Sequence, residues 1–199
     1  MSNELGFILV FISSPFVFDG IAGNYGETEP PVPLNAYAAG KTRAEVSVSK
    51  ITPKALIIRA RFYGHSQRVN HSLLEWVLGN ARNGKAVPGF TYSYFSPISV
   101  NDFADALNSA ITSDQSGILH IGSSNSISKY EFARMVLQEF TFDADLLTSI
   151  TVDEAGLNAN RPRDTSLNTA LLGRVWGKSA PTAAEGMRRF ATKPSPFSN

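Results

Sequence analysis

Apolar positions change their period along the chain, and the changes mark its elements. GFILVFIS (6–13) is a continuous apolar run rich in β-branched and aromatic residues, the pattern of a strand buried in a parallel sheet. ALIIRA (55–60) and GILHIGS (117–123) read the same way. Between these runs the period lengthens. NAYAAGKTRAEVSVSKI (35–51) is alanine-rich and free of proline, so it predicts a helix. In 71–85 the apolar residues Leu73, Leu74, Val77, Leu78 and Ala81 form a helical stripe. The segment 96–111 begins extended and turns helical near Asn101, with Phe103, Ala106, Leu107, Ala110 and Ile111 on one face. Ser128 with Glu131 three residues on is a capping box that opens a helix over 128–140. A last helix is expected over 181–190, with Pro181 near its start.

The remaining stretches break the pattern. Asp19 to Pro33 is rich in glycine, acid and proline and reads as loop. Residues 143–175 follow no single period, and the tail 193–199 is expected to fray. Alternation of strand and helix predicts an α/β domain.

The opening GFILVFISSPFVF resembles the core of a signal peptide in hydropathy alone. MSNEL before it has no Lys or Arg and carries Glu4, no small-residue cleavage pattern follows, and the run is too short to span a membrane. It reads as a buried strand beginning almost at Met1.

Composition narrows the chemistry. A chain of 199 residues suits one good-sized domain. The net charge of +1, with no basic block, leaves nucleic-acid binding without an electrostatic footprint. Zero cysteines removes disulfides, thiol catalysis and cysteine-ligated zinc, and fits a reducing compartment such as the cytoplasm. His65, His71 and His120 show no metal-ligand spacing, and His120 sits inside a strand pattern as a structural histidine.

The candidate chemistry is polar and local. Tyr37 and Lys41 stand at i and i+4 and share a helix face. A free phenol titrates near 10. An ammonium group beside it favours the phenolate, and such a pair can donate a proton to a carbonyl oxygen as hydride arrives from a nicotinamide. The same spacing describes a half-buried tyrosine beside a solvated lysine. Ser13 and Ser14 end the first strand, where α/β sheets place ligand groups. Gly20, Gly23 and Gly26 spell a dinucleotide loop, but ETEPPVP follows where a helix would have to open, so a glycine-rich surface loop is expected. RPRD (161–164) brings two guanidiniums close together, suited to phosphate or to an exposed salt-bridged loop. Phe62, Phe90, Tyr92, Tyr94 and Phe95 are placed to stack on a base or sugar, or to close the domain.

The order of the pieces adds more than any one of them. FISSPFVFDG (11–20), PLNAYAAGKTRAE (33–45), LIIRARFYG (56–64), FSPISVNDFADAL (95–107), GILHIGSSNSISKYEFA (117–133) and RPRDTSLNTALL (161–172) follow one another along nearly the whole chain. The series resembles the dTDP-4-dehydrorhamnose reductase family of extended short-chain dehydrogenase/reductases. The resemblance implies that Tyr37 is the catalytic tyrosine and that Lys41 is its partner, which also holds the nicotinamide ribose. It places Ser14 where the family polarises the keto group, and Ser13 beside it on the cofactor side. Phe16 and Phe62 fall at substrate-pocket positions where the family has tyrosine and tryptophan, and Arg161 and Arg163 fall in the late substrate-side segment. Arg61, in a shortened RARFYG, departs from the family wording.

That resemblance implies an α/β fold comprising the C-terminal part of a Rossmann-type parallel sheet. A small α/β substrate-binding lobe, from parts of 62–100 and 120–199, would complete one unit over 1–199. It implies an NADPH- or NADH-dependent reductase of a 4-keto group on a nucleotide-linked 6-deoxy sugar, in dTDP-rhamnose biosynthesis. Family members begin with a Gly-rich loop and several β-α units ahead of the first strand found here. Little or no activity is therefore expected of this chain alone, and a homodimer or an N-terminal partner segment is a candidate complement. The alternative is a non-catalytic relative like the regulatory β subunit of methionine adenosyltransferase. No metal is expected, and neither nucleic acid nor membrane is a partner.

Overall fold

A computed structural model describes residues 7–66, 72–151 and 161–193. Gly6, His71 and the tail 194–199 fall outside the described residues. In chain order the elements are β1 (Val10–Ser13), a 3-10 turn (Pro15–Val17), α1 (Ala36–Ile51), β2 (Leu56–Ala60), β3 (Phe62–Tyr63), α2 (Leu73–Arg82), β4 (Val87–Phe90), β5 (Tyr94–Phe95) and β6 (Ile98–Ser99). They continue with α3 (Val100–Thr112), β7 (Gly117–Ile121), β8 (Ile127–Ser128), α4 (Lys129–Glu139), β9 (Leu147–Ile150), β10 (Asp164–Thr165), α5 (Ala170–Trp176) and α6 (Ala183–Ala191).

The three apolar runs pair as expected. β1, β2 and β7 form a parallel sheet in the order β1-β2-β7, with Ile12 opposite Ile58 and Ile58 opposite Leu119. β2 is central, and all five of its residues are buried. β1 has one partner among the described strands, and Val10, Phe11 and Ile12 stay half-buried although their sequence is as apolar as that of β2. α3 and α5 cover the sheet through Phe103, Ala106, Ala110, Leu172 and Trp176.

A second core lies apart from the sheet. Leu74, Val77 and Leu78 of α2, Val87 of β4, Phe132 and Val136 of α4, and Met187 and Phe190 of α6 pack together. Each such fully buried side chain contributes about 1.5–3 kcal/mol. This lobe draws on 63–95 and on 127–190, but 170–180 packs on the sheet instead, because Leu172, Trp176 and Ala180 face it. The described residues of the irregular region 143–175 contain a 3-10 turn (Ala144–Leu146), β9, paired parallel with β4, then β10 and most of α5.

Side-chain caps set the helix starts. Asn35 Oδ1 accepts from Ala38 N at 3.0 Å and opens α1. The capping box at Ser128–Glu131 is present, and a second at Thr182–Glu185 opens α6, so Pro181 precedes the cap rather than entering the first turn. The 19–25 loop is closed on itself. The Tyr25 hydroxyl accepts from the backbone N–H of Gly20, Ile21 and Ala22 at 2.9, 2.9 and 3.2 Å and donates to Asp19 Oδ1 at 2.5 Å. The loop also fastens the late segment: Asp164 N donates to Gly20 O, Asn24 N to Ser166 Oγ, and Asn168 N to Tyr25 O. Gly20 has φ of +79°, and a Cβ there would collide with Pro162.

His120 is fully buried in β7, edge-on to the Phe18 ring. Burial, and then the nearby Arg59 cation, push its imidazole down to about 3, against weaker opposition from the Tyr25 and Asn168 backbone. The folded chain therefore keeps His120 neutral while the unfolded chain protonates it below about 6.5. Stability is expected to fall as pH drops through that window, by about 2 kcal/mol at pH 5. Urea unfolding at pH 7 and pH 5 measures it, and His120→Leu should flatten the difference. An equal acid loss in that variant would remove His120 as the cause.

Candidate active site

β1 ends at Ser13, and the chain turns off the sheet at Ser14. Ser14 caps the 3-10 turn, its Oγ accepting from Phe16 N at 3.3 Å. A hydroxyl that accepts keeps its own proton for another acceptor. α1 returns alongside β1, with Tyr37 in its first turn and Lys41 one turn on. Lys41 Nζ donates to Ile12 O at 2.9 Å and lies over the Phe11 ring. The Tyr37 ring is 56% exposed and meets Phe16 edge-on, with ring centres 6.3 Å apart. The lysine is thus pinned to the sheet and the tyrosine is open, the reverse of a half-buried phenol beside a solvated amine. Ser14, Phe16, Tyr37 and Lys41 gather at the C-terminal end of β1, where open α/β sheets hold ligands.

Ser13 does not join them. It is buried, and its Oγ donates to Glu45 Oε1 at 2.5 Å. The Arg59 Nε and Nη2 groups donate to the two oxygens of the same carboxylate at 3.0 and 2.7 Å, and the Arg59 guanidinium lies over the Phe18 ring. Glu45 is one turn beyond Lys41, so this buried pair clamps α1 onto β2.

One cation, Arg161, lines the cavity of Tyr37. Phe16, Asn35, Ala36, Tyr37 and Arg161 line a cavity of about 360 Å³. Arg161 also lines a larger cavity of about 680 Å³ with Arg61 and Lys129. The Arg61 guanidinium is held between the Phe16 and Phe95 rings, 4.9 Å from each ring centre. Burial first, then Arg161, pull it down to about 10, with Tyr37 acting the other way, so it stays protonated at neutral pH. Lys129 is pushed down to about 7 by burial, then by Arg61 and Arg161.

Two expected site residues stand elsewhere. Phe62 is 46% exposed, packs on Phe103 at 4.8 Å between ring centres, and opens on a different cavity of about 410 Å³ shared with His65 and Phe132. Arg163 lines a separate cavity with Asp19, Tyr92 and Tyr94. The two guanidiniums of RPRD therefore face different cavities, with Pro162 buried between them. The glycine-rich loop holds no ligand cradle, because its converging N–H groups are already taken by Tyr25. Among the described residues no group of His, Asp and Glu is placed to hold a metal, and His65 pairs with Glu75 at 3.2 Å. No helix of the described residues is long and apolar enough to cross a membrane.

Glu45, Arg59 and Lys129 escape sequence reasoning. Lys129, next to a capping serine, reads as a solvated helix start. The only signal for Arg61 is its departure from the family wording.

The chain matches the RmlD substrate binding domain family over residues 1–194. It is 26% identical to a probable low-salt glycan biosynthesis reductase of Haloferax volcanii, covering 99% of this chain and 66% of that protein. It is 28% identical to methionine adenosyltransferase 2 subunit beta of Danio rerio, covering 84% of this chain and 54% of that one. Among solved structures it is similar to dTDP-4-dehydrorhamnose reductase of Bacillus anthracis in complex with NADP, with TM-score 0.86 and 26% identity, covering 95% of this chain and 66% of that one. The chain thus spans between about half and two-thirds of the length of these relatives.

Proposed function

The chain belongs to the RmlD substrate binding domain family, and from that premise we propose that it is the catalytic and substrate-side part of an NAD(P)H-dependent reductase. The substrate is the 4-keto group of a nucleotide-linked 6-deoxy sugar, of the kind used for dTDP-rhamnose. One observation supports this reading: an exposed Tyr37, in ring contact with Phe16 beside the Ser14 cap, stands one helical turn from a Lys41 fixed on Ile12 O of β1.

The nicotinamide cofactor supplies hydride when bound. Tyr37 gives its phenolic proton to the developing alkoxide, and Ser14 donates a hydrogen bond to the same oxygen. Lys41, fixed on Ile12 O, keeps its ammonium one helical turn from Tyr37. Phe16 and Arg161 line the same cavity as Tyr37, the ring offering a flat apolar surface to a sugar and the guanidinium a cation. These residues fit the nicotinamide end of the cofactor. None of the described residues offers a pyrophosphate cradle, since the one glycine-rich loop is filled by Tyr25.

The similarity to methionine adenosyltransferase 2 subunit beta supports a second reading, a binding or regulatory module in the manner of that subunit. Titration of the purified chain with NADPH and with NADH, followed by nucleotide fluorescence, separates the two. Saturable binding in the micromolar range is expected of the reductase reading. A folded chain that binds neither nucleotide at millimolar concentration would leave the regulatory reading.

A further inference from the structure

Arg163 lines a cavity of about 520 Å³ that shares no residue with the cavity of Tyr37 or with the cationic one. Its walls come from three distant parts of the chain, and backbone bonds hold them together. Asp164 N donates to Gly20 O at 3.1 Å, and Tyr94 N donates to Arg163 O at 2.7 Å. β10 runs beside β5 in parallel register, and the Tyr25 hydroxyl locks the 19–22 turn. The cavity is therefore built before any ligand arrives, which lowers the ordering cost of binding.

Two tyrosines open onto it. Along 92–95 burial alternates: Ser93 and Phe95 are buried, whereas Tyr92 and Tyr94 are 60% and 36% exposed. Residues i and i+2 of an extended chain share a face, so the two rings stand on the same side. Among the described residues neither ring meets another aromatic ring. Ile21, 84% exposed, adds apolar surface from the loop.

The charged groups at this cavity are of both signs: Asp19, Asp164 and Arg163. The Tyr25 hydroxyl and then the Ile21 N–H hold the Asp19 carboxyl below its usual range and fix its orientation. Asp164 Oδ1 accepts from Ser166 N at 2.8 Å, which fixes the second carboxylate. Two carboxylates oppose an anion, and the guanidinium opposes a cation. A neutral ligand rich in hydroxyls suits both, since each hydroxyl donates to a carboxylate or accepts from a guanidinium. Its C–H face lies on an aromatic ring without loss of those bonds.

We propose that this cavity binds a neutral pyranose, its ring face on Tyr92 and Tyr94 and its hydroxyls on Asp19, Asp164 and Arg163. Its volume lies within the usual range of small-molecule sites, about 300–1,000 Å³. Neither Tyr37 nor a nicotinamide enters the argument, so the site stands or falls apart from the reductase reading.

Titration of the full chain, carrying carbon-13-labelled tyrosine, with methyl α-glucopyranoside and methyl α-rhamnopyranoside tests this by NMR. The chain has six tyrosines, and single substitutions assign their ring signals. The signals of Tyr92 and Tyr94 are expected to shift and that of Tyr37 to stay. Half-saturation is expected near about 1 mM, the efficiency of a weakly held ligand of this size. Tyr92→Ala and Tyr94→Ala should each weaken binding about three- to tenfold. Tyr92→Phe should keep the affinity, because the ring face and not the hydroxyl makes the contact. Inorganic phosphate and tetramethylammonium should leave both signals in place. Four results would overturn the site: no saturable shift with either pyranoside at ten times that concentration, shifts confined to Tyr37, a loss below threefold in both alanine variants, or equally tight binding of either ion.

Discussion

Glu45→Ala is expected to destabilise the chain by about 3–5 kcal/mol, because it strands a buried guanidinium. The Arg59 side chain is 1% exposed, and both of its direct ion-pair contacts go to this one carboxylate. The same carboxylate accepts from Ser13, so the variant leaves three donor groups on two side chains without their partner. The Phe18 ring under Arg59 cannot replace the anion, since a cation–π contact is worth about 0.5–2 kcal/mol. Much of the cost is that of the orphaned charge rather than the net worth of the pair. Glu45→Leu combined with Arg59→Met should therefore recover most of the loss, since an apolar pair of similar volume replaces a buried ion pair at little net cost. Urea unfolding of the two variants reads both numbers. A loss under 1 kcal/mol in the single variant would mean that the pair does not clamp α1 to β2.

This clamp shows where sequence reading succeeds and where it stops. α2 was legible because Leu74, Val77, Leu78 and Ala81 recur at helical spacing, and all four are buried. β2 and β7 were legible as continuous apolar runs bounded by loop. In the first strand the apolar run reaches back to residue 6, but the observed strand begins at Val10, where pairing to Leu56 starts. Ser13 and Ser14 looked equivalent at the end of that strand. Successive residues of a strand face opposite ways, and the partner that draws Ser13 inward is Glu45, 32 residues on. Tyr37 and Lys41 were visible because a helix makes their spacing local. Arg61, Lys129 and Arg161 were not, since they meet only after β2, α4 and the segment before β10 have docked. No periodicity encodes that meeting. The same holds for Phe62 and Arg163, which open on other cavities while Arg61 and Arg161 share the one of about 680 Å³. Residue 163 follows a buried proline and is turned to the Asp19 side by the loop that Tyr25 closes.

Tyr37→Phe is expected to lower any reductase turnover by about 10²–10⁴-fold, the usual worth of a positioned proton donor. The ring is more than half exposed and its contact with Phe16 needs no hydroxyl, so stability should change by less than about 0.5 kcal/mol. Cofactor affinity should be unchanged, because the pinned ammonium of Lys41 is untouched. That split, a large loss in rate with no loss in binding or folding, is what a proton donor predicts and a structural tyrosine does not. Single-turnover assays with the chain in excess over a 4-keto nucleotide sugar, at saturating NADPH, make even slow turnover measurable. Lys41→Met should reduce both rate and cofactor affinity, and it frees the Ile12 carbonyl that now accepts from the ammonium. If the parent turns over and Tyr37→Phe retains more than a tenth of its rate, Tyr37 is not the donor, and Ser14 becomes the next hydroxyl to test. If the parent shows no turnover at all, the convergence of Ser14, Tyr37 and Lys41 is inherited geometry, and the chain acts through what it binds.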